Sequence, residues 1–157
     1  MISDYRILWL GSSFVASLVF FTNVLLSSDP RPVGDFSDHQ DIGEPCVPGD
    51  ASFDAGRYSV TSAGREIFEA SDEFHFAFTQ VTGDFSLRAR VVERNWSRGG
   101  AARWGKAGTM ARQSLEPGSR YAFVNDNPDP DAVRFARRST HGGSDTSEEI
   151  FGNLRPG

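Results

Sequence analysis

The sequence predicts an all-β protein built as an antiparallel sandwich or barrel. Short runs alternate between apolar and polar residues, clusters of turn-forming residues separate these runs at near-regular spacing, and no helical periodicity follows Phe36. The composition agrees, since 13 Phe against two Met favour a core of aromatic side chains carried on strands. At 157 residues the chain has room for one domain.

Six runs show the pattern expected of strands. They are 56–61, 73–79, 85–91, 104–114, 120–124 and 133–138. In the second run Phe74, Phe76 and Phe78 share one face, because successive side chains of a strand point to opposite sides of a sheet. The Asn, Asp and Pro residues at 125–130 predict a turn between the last two strands.

Composition divides the chain into four parts. Residues 1–28 contain an uncharged, mostly apolar run at 7–26, which predicts an N-terminal hydrophobic helix. This helix is either a signal peptide or an uncleaved membrane anchor, and we favour the anchor because no clear small-residue cleavage site follows it. We interpret 29–35 as a linker, 36–139 as the β-domain and 140–157 as a polar, possibly disordered tail. The expected location of the β-domain is extracytoplasmic.

The charge balance excludes one class of partner. A net charge of −5 argues against general nucleic-acid binding, which depends on neutralising phosphates with Lys and Arg. Between 94 and 106 basic residues are interleaved with two Trp, and we interpret this stretch as a solvated hairpin loop rather than a nucleic-acid patch. Cys46 is the only cysteine, so no disulfide can form within the chain.

The order of several motifs resembles a known family. The motifs are Tyr58-Ser59-Val60-Thr61-Ser62-Ala63-Gly64, Asp72-Glu73-Phe74-His75-Phe76, Trp104-Gly105-Lys106-Ala107-Gly108-Thr109-Met110-Ala111-Arg112-Gln113-Ser114-Leu115 and Phe135-Ala136-Arg137-Arg138. They are similar to those of a bacterial domain-of-unknown-function family described as regulation-of-enolase-like, which has a concanavalin A-like jelly roll. Similar domains occur in exported TolB-like or biopolymer-transporter-like proteins. The resemblance implies a jelly roll, and an incomplete one, because family members continue with strands that are not found before Gly157.

Alternation along 104–114 predicts a binding surface. One face of this strand carries Trp104, Lys106, Gly108, Met110 and Arg112, and the other carries only small residues. If the small face packs on the core, an aromatic ring and two cations lie open to solvent, which suits a sugar ring or an anionic group. The alternative is that Trp104 and Met110 are core residues, while Lys106 and Arg112 end in solvent-exposed head groups or in ion pairs. His75 joins this groove if the strands are neighbours, although an ordinary surface histidine is the favoured interpretation.

Other chemistry has less support in the sequence. No His-x-His or His-x-x-x-His spacing occurs, so we predict no metal site, and no cofactor motif is found. The acidic loop 126–131 offers calcium-type ligands but fails the EF-hand template, and Asx-Pro turns explain it. The carboxylates Glu66, Glu69, Asp72 and Glu73 do not form the strand motif of concanavalin A-like glucanases. Catalysis is therefore the minority interpretation.

The leading hypothesis is a non-catalytic, exported module that binds carbohydrate through Trp104, Lys106, Met110 and Arg112. Two alternatives stay open: a structural or protein-interaction domain of a cell-envelope assembly, and, with less support, a glycoside hydrolase-like enzyme. The expected partners are a polysaccharide or other glycan, an envelope protein, and the membrane itself if 7–26 is uncleaved.

Overall fold

The described part of the chain is built from antiparallel strands. The computed structural model describes residues 29–95, 105–128 and 131–152, which contain ten strands and no helix. The strands are β1 (Asp38–Ile42), β2 (Asp50–Asp54), β3 (Arg57–Thr61), β4 (Ile67–Phe68), β5 (Ser71–Asp72), β6 (Phe74–Phe78), β7 (Ala107–Arg112), β8 (Tyr121–Pro128), β9 (Asp131–Arg138) and β10 (Asp145–Gly152). Every pair is antiparallel. The predicted all-β, antiparallel class is confirmed.

The structure does not test the predicted N-terminal hydrophobic helix. The apolar run 7–26 is outside the described residues. Within the described ranges, no helix is long and apolar enough to cross a membrane.

The largest sheet has four strands in the order β10-β9-β8-β7. β8 and β9 form a hairpin whose pairing runs from Tyr121 with Arg138 to Pro128 with Asp131. The predicted turn at 125–130 is therefore too long, because Asn125, Asp126 and Asn127 continue the strand. Three two-stranded pairs complete the architecture: β1 with β6, β2 with β3 and β4 with β5.

The core lies between the β1–β6 pair and one face of the four-stranded sheet. This buried cluster consists of Ile42, Ile67, Phe74, Met110, Tyr121, Phe123 and Ala136, with Phe76 packed against it. Side chains of a strand alternate between faces, so the Phe face of β6 meets the face of the sheet that carries Met110 and Phe123. We call this face of the sheet the inner face. The opposite face carries Thr109, Ala111, Ala122, Val124, Phe135, Arg137, Thr146 and Glu148, and we call it the outer face.

Both segments assigned outside the domain contact it. Val33 of the predicted linker is buried and forms a bridge with Phe36. Residues 145–152 of the predicted tail form β10, so this stretch is an ordered part of the sheet. Backbone pairing with β9 holds this polar strand, and the Tyr121 hydroxyl donates a hydrogen bond to Asp145 at 3.2 Å.

The predicted strand 85–91 is not formed. These residues have no regular secondary structure and are exposed. Alternation describes which side chains would share a face, but a strand also needs a neighbour for its backbone groups. In the described residues, 85–91 pairs with no other strand.

Candidate functional site

β7 presents its faces in the reverse of the expected orientation. Met110 is buried in the core, whereas Ala107 and Ala111 are exposed. The condition for the predicted surface, that the small face packs on the core, is therefore not met, and Met110 is a core residue as in the alternative. Trp104, the aromatic residue of the predicted surface, lies outside the described residues.

Arg112 belongs to a buried charge network centred on Asp72. The Asp72 side chain is fully buried and accepts hydrogen bonds from Arg138 Nη1 at 2.9 Å and Nη2 at 2.7 Å. Arg112 Nη1 lies 3.4 Å from the same carboxylate, and 2% of the Arg112 side chain is exposed. Burial lowers the pKa of Arg112, which Asp72 partly counteracts. Two guanidinium groups thus share one counter-ion inside the protein.

Arg138 also donates hydrogen bonds to backbone carbonyls of three different loops. Its Nε donates to Glu69 and Gly143, at 2.9 and 3.0 Å, and its Nη1 donates to Pro117 and Ser119, at 3.2 and 3.1 Å. A buried guanidinium with its donors satisfied in this way has a structural role. The network is inaccessible to a ligand.

The remaining predicted polar residues form local pairs. Lys106 Nζ donates to Glu66 Oε1 and, at 3.0 Å, to the carbonyl of Ile67. Glu73 lies 3.8 Å from Arg65. Lys106 is therefore mostly buried in an ion pair with Glu66. The predicted open binding surface is not formed by Lys106, Met110 and Arg112.

His75 lies in a chain of three side chains, of which the two histidines are buried and Asp41 is partly exposed. The structure brings His39 of β1 beside it, with His39 Nδ1 2.9 Å from His75 Nε2, and Asp41 Oδ1 is 2.8 Å from His75 Nδ1. Gly49 N donates to both Asp41 oxygens at 3.1 Å, which holds the carboxylate in place. The favoured interpretation of His75 as a surface histidine is wrong. His75 is on the opposite side of β6 from the Phe face, away from Lys106 and Arg112.

This chain of side chains opposes protonation of His39. Burial lowers the pKa of His39, and the charges of Arg31 and His75 lower it further. Asp38 and Asp50 act in the opposite direction without cancelling the effect. If both imidazoles were protonated, two N–H groups would face each other across the 2.9 Å gap.

We expect the free energy of unfolding to decrease as pH falls below about 6.5. The unfolded chain takes up a proton at His39 near pH 6.5, while the folded chain, with the lowered pKa, does so only at more acidic pH. Full stability is therefore kept above the pKa of His39 in the unfolded chain, and it is lost as pH falls toward the lower pKa of His39 in the folded chain. Urea unfolding between about pH 7.5 and about pH 5 measures it.

His39→Asn is the test variant, because the amide can still hydrogen-bond His75 but does not titrate. Its stability should fall less than that of the native protein over this pH range. The control is His141→Asn, at an exposed histidine outside this chain of side chains. Equal pH dependence in both variants would contradict the assignment to His39.

The outer face carries a shallow groove that the sequence prediction did not include. Phe135 lies between two adjoining concavities. An apolar one of about 160 Å³ is lined by Phe85, Leu87, Thr109, Met110, Ala111, Ala122, Val124 and Phe135. A polar one of about 230 Å³ is lined by Phe135, Arg137, Thr146, Ser147 and Glu148. The groove thus combines the ring of Phe135 with a cationic side chain, Arg137, and an anionic one, Glu148.

One residue of the predicted acidic loop forms an ion pair. Asp126 Oδ1 accepts a hydrogen bond from Arg94 Nη1 at 2.6 Å. Arg98, Arg103 and Trp96 of the predicted basic loop lie outside the described residues. Over the described ranges no group of three or more His, Cys, Asp and Glu could hold a metal ion.

Comparison with protein-family models, with curated proteins and with solved structures finds no match to this chain. The site is therefore interpreted from its own geometry. Sequence reasoning missed the outer-face residues because Thr146 and Glu148 lie in the presumed tail. It missed the His39–His75 contact because the pairing of β1 with β6 joins residues 36 positions apart.

Proposed function

We propose that this chain is a non-catalytic binding module that recognises carbohydrate through the outer-face groove. The observation that carries this proposal is the position of Phe135 beside Arg137, Thr146 and Glu148 on the outer sheet face. The same proposal takes the fold as a concanavalin A-like sandwich. Packing of the β1–β6 pair on the inner face supports that architecture.

The chemistry of the groove suits a sugar. A sugar ring offers an apolar face of C–H groups and an equatorial rim of hydroxyls, and it needs both an aromatic plate and polar partners. Phe135 supplies the plate. Arg137, Thr146 and Glu148 supply donors and acceptors at the rim, and Arg137 Nε already lies 3.4 Å from Thr146 Oγ1. The guanidinium of Arg137 would favour a sugar that carries a carboxylate.

The candidate acidic residues are poorly placed for hydrolysis. Glycoside hydrolases use two carboxyl groups across a cleft. Asp72 is buried with Arg138, Glu66 is paired with Lys106, and Glu73 lies near Arg65. The described lining of the groove contains one carboxylate, Glu148. A binding role therefore fits this surface better than a hydrolytic one.

We propose an extracytoplasmic location for the module. The apolar run 7–26 follows Arg6 and has the composition shared by export signals and membrane anchors. A polysaccharide of the cell envelope or its surroundings would be accessible there.

The test is binding of the full-length chain to an array of neutral and uronic-acid oligosaccharides. We expect Phe135→Ala to weaken binding by about tenfold, or about 1.4 kcal/mol, because it removes the stacking surface. We expect Arg137→Ala to reduce selectively the binding of acidic sugars. The affinities are measured by titration calorimetry with the best oligosaccharide.

The matched control is Phe53→Ala, which removes a half-exposed Phe of β2 outside the groove. Its affinity should equal that of the native chain. Absence of binding to every sugar on the array, or equal losses for Phe53→Ala and Phe135→Ala, would rule out this site.

A protein-interaction role is the second candidate. The specific observation in its favour is the row of exposed apolar residues at 85–92, which has no strand partner among the described residues. Exposed apolar groups on an unpaired segment are typical of surfaces that another chain covers.

A further inference from the structure

The segment 85–92 has the side-chain pattern of a β-strand, but no described strand pairs with it. It makes no hydrogen bond, through backbone or side chain, with any residue that the structure describes. Phe85, Leu87 and Val91 alternate with polar residues and remain 55%, 45% and 48% exposed. A backbone that fulfils none of its hydrogen bonds within the fold is available to pair with a strand from outside.

The charge of this segment is opposite to that of the chain. Arg88 and Arg90 are exposed and make no ion pair with described residues, while the chain carries a net charge of −5. In an extended conformation both Arg side chains lie on one side, opposite the apolar residues. The segment therefore offers a basic row and an apolar row.

β10 provides an open and acidic edge of matching length. It is the terminal strand of the four-stranded sheet, so one side of its backbone has no strand partner in the described part of the chain. Like 85–92 it comprises eight residues, and it carries Glu148 and Glu149. Glu148 is exposed, and Glu149 lies 3.8 Å from Arg134 with 47% of its side chain exposed.

The other free edge is a poorer match. β7 also terminates the sheet, but its sequence is neutral apart from Arg112, and Lys106 precedes it. β7 has no acidic side chain to attract Arg88 and Arg90, and the two nearby cations are already paired with Asp72 and Glu66. Self-pairing of two β10 strands is opposed by the like charges of their glutamates. The basic segment therefore favours the β10 edge.

A second copy of the chain is the occupant that this arrangement selects. Within its own copy, Phe85 and Leu87 line the apolar concavity of the outer face, and 85–92 is not paired with β10. We propose that 85–92 of one copy adds as a strand to β10 of another copy, with the same exchange in return. A two-fold arrangement of this kind closes with two strand pairings and leaves neither β10 edge open.

Charge reversal tests the proposal on the full-length chain. One variant carries Arg88→Glu and Arg90→Glu, and the other carries Glu148→Lys and Glu149→Lys. We expect the native chain to dimerise reversibly, each variant alone to lose affinity for itself by at least about tenfold, and an equimolar mixture of the two to recover a heterodimer. In the mixture both strand pairings again join opposite charges.

The measurements are sedimentation velocity over a range of concentrations and co-purification of differently tagged copies. Hydrogen exchange adds a direct readout, since amides of 85–92 should become protected only in the dimer. Arg57→Glu with Arg120→Glu is the matched control for the Arg88→Glu, Arg90→Glu variant, because both residues are exposed and the two variants change the net charge equally. This control should dimerise like the native chain.

Two results would overturn the proposal. One is a native chain that stays monomeric at high concentration. The other is a mixture of the reversed variants that associates no better than either variant alone. Both readouts are independent of sugar binding, so failure here leaves the carbohydrate proposal standing, and the converse also holds.

Discussion

Asp72→Asn is expected to lower the free energy of unfolding by about 3–5 kcal/mol. The substitution keeps the size of the side chain but removes the charge that balances Arg138, which is 1% exposed. Arg112 lies 3.4 Å from the same carboxylate, so the change leaves two guanidinium groups facing each other in the interior. Urea unfolding followed by circular dichroism measures the loss.

The control for this prediction is Asp54→Asn, at an exposed aspartate next to the β2–β3 turn. Its effect should stay within about 0.5 kcal/mol, as for surface substitutions generally. A loss of less than about 1 kcal/mol for Asp72→Asn would mean that the buried pair does not stabilise the fold. Because Asp72 is inaccessible, any loss of sugar binding in this variant should follow unfolding and not a missing contact.

The strands that the sequence predicts share one physical property. β3, β6, β7, β8 and β9 lie within or overlap the runs in which apolar and polar residues alternate. Alternation is clearest in β8, where every second residue from Tyr121 to Asn127 is buried and burial of one face enforces the period of two. β3 shows the pattern without any buried residue. Turn residues such as Pro117 and Gly118 then mark where the chain reverses.

The strands that the sequence does not predict lack that property. β1 reads Asp-His-Gln-Asp-Ile and β10 reads Asp-Thr-Ser-Glu-Glu-Ile-Phe-Gly, so neither shows an apolar row. Pairing with β6 and with β9 holds them instead. The segment 85–92 is the converse case, since it has the pattern without a partner. Hydrogen-bonded neighbours depend on topology, which a local pattern does not contain.

The candidate site also shows that a local sequence pattern does not determine the packing of a strand. Alternation correctly separates the two faces of β7 but does not say which one is buried. The predicted binding surface requires the face of small residues to be inside, yet Met110 offers more apolar surface to bury. The neighbouring strand carries the signal that would decide this, because Tyr121 and Phe123 of β8 lie on the same face as Met110.

A reciprocal exchange at adjacent positions of β7 tests this orientation. Met110→Ala is expected to lower the free energy of unfolding by about 2–5 kcal/mol, since it leaves a cavity against Phe123 in the core. Ala111→Met is expected to change it by no more than about 0.5 kcal/mol, because Ala111 is exposed beside the apolar concavity of the outer face. Urea unfolding of the two variants under identical conditions compares them directly.

The two orientations of β7 predict opposite results for this pair of variants. If the small face were buried, Ala111→Met would overpack the core and cost about 1–3 kcal/mol, whereas truncation of an exposed Met110 would cost little. Both variants exchange Met and Ala, in opposite directions, so any difference in intrinsic strand propensity stabilises one variant and destabilises the other. Propensity alone therefore does not explain a large loss of stability in one variant and none in the other. A larger loss in Ala111→Met than in Met110→Ala would therefore reverse the assignment of the inner and outer faces, and with it the position of the Phe135 groove.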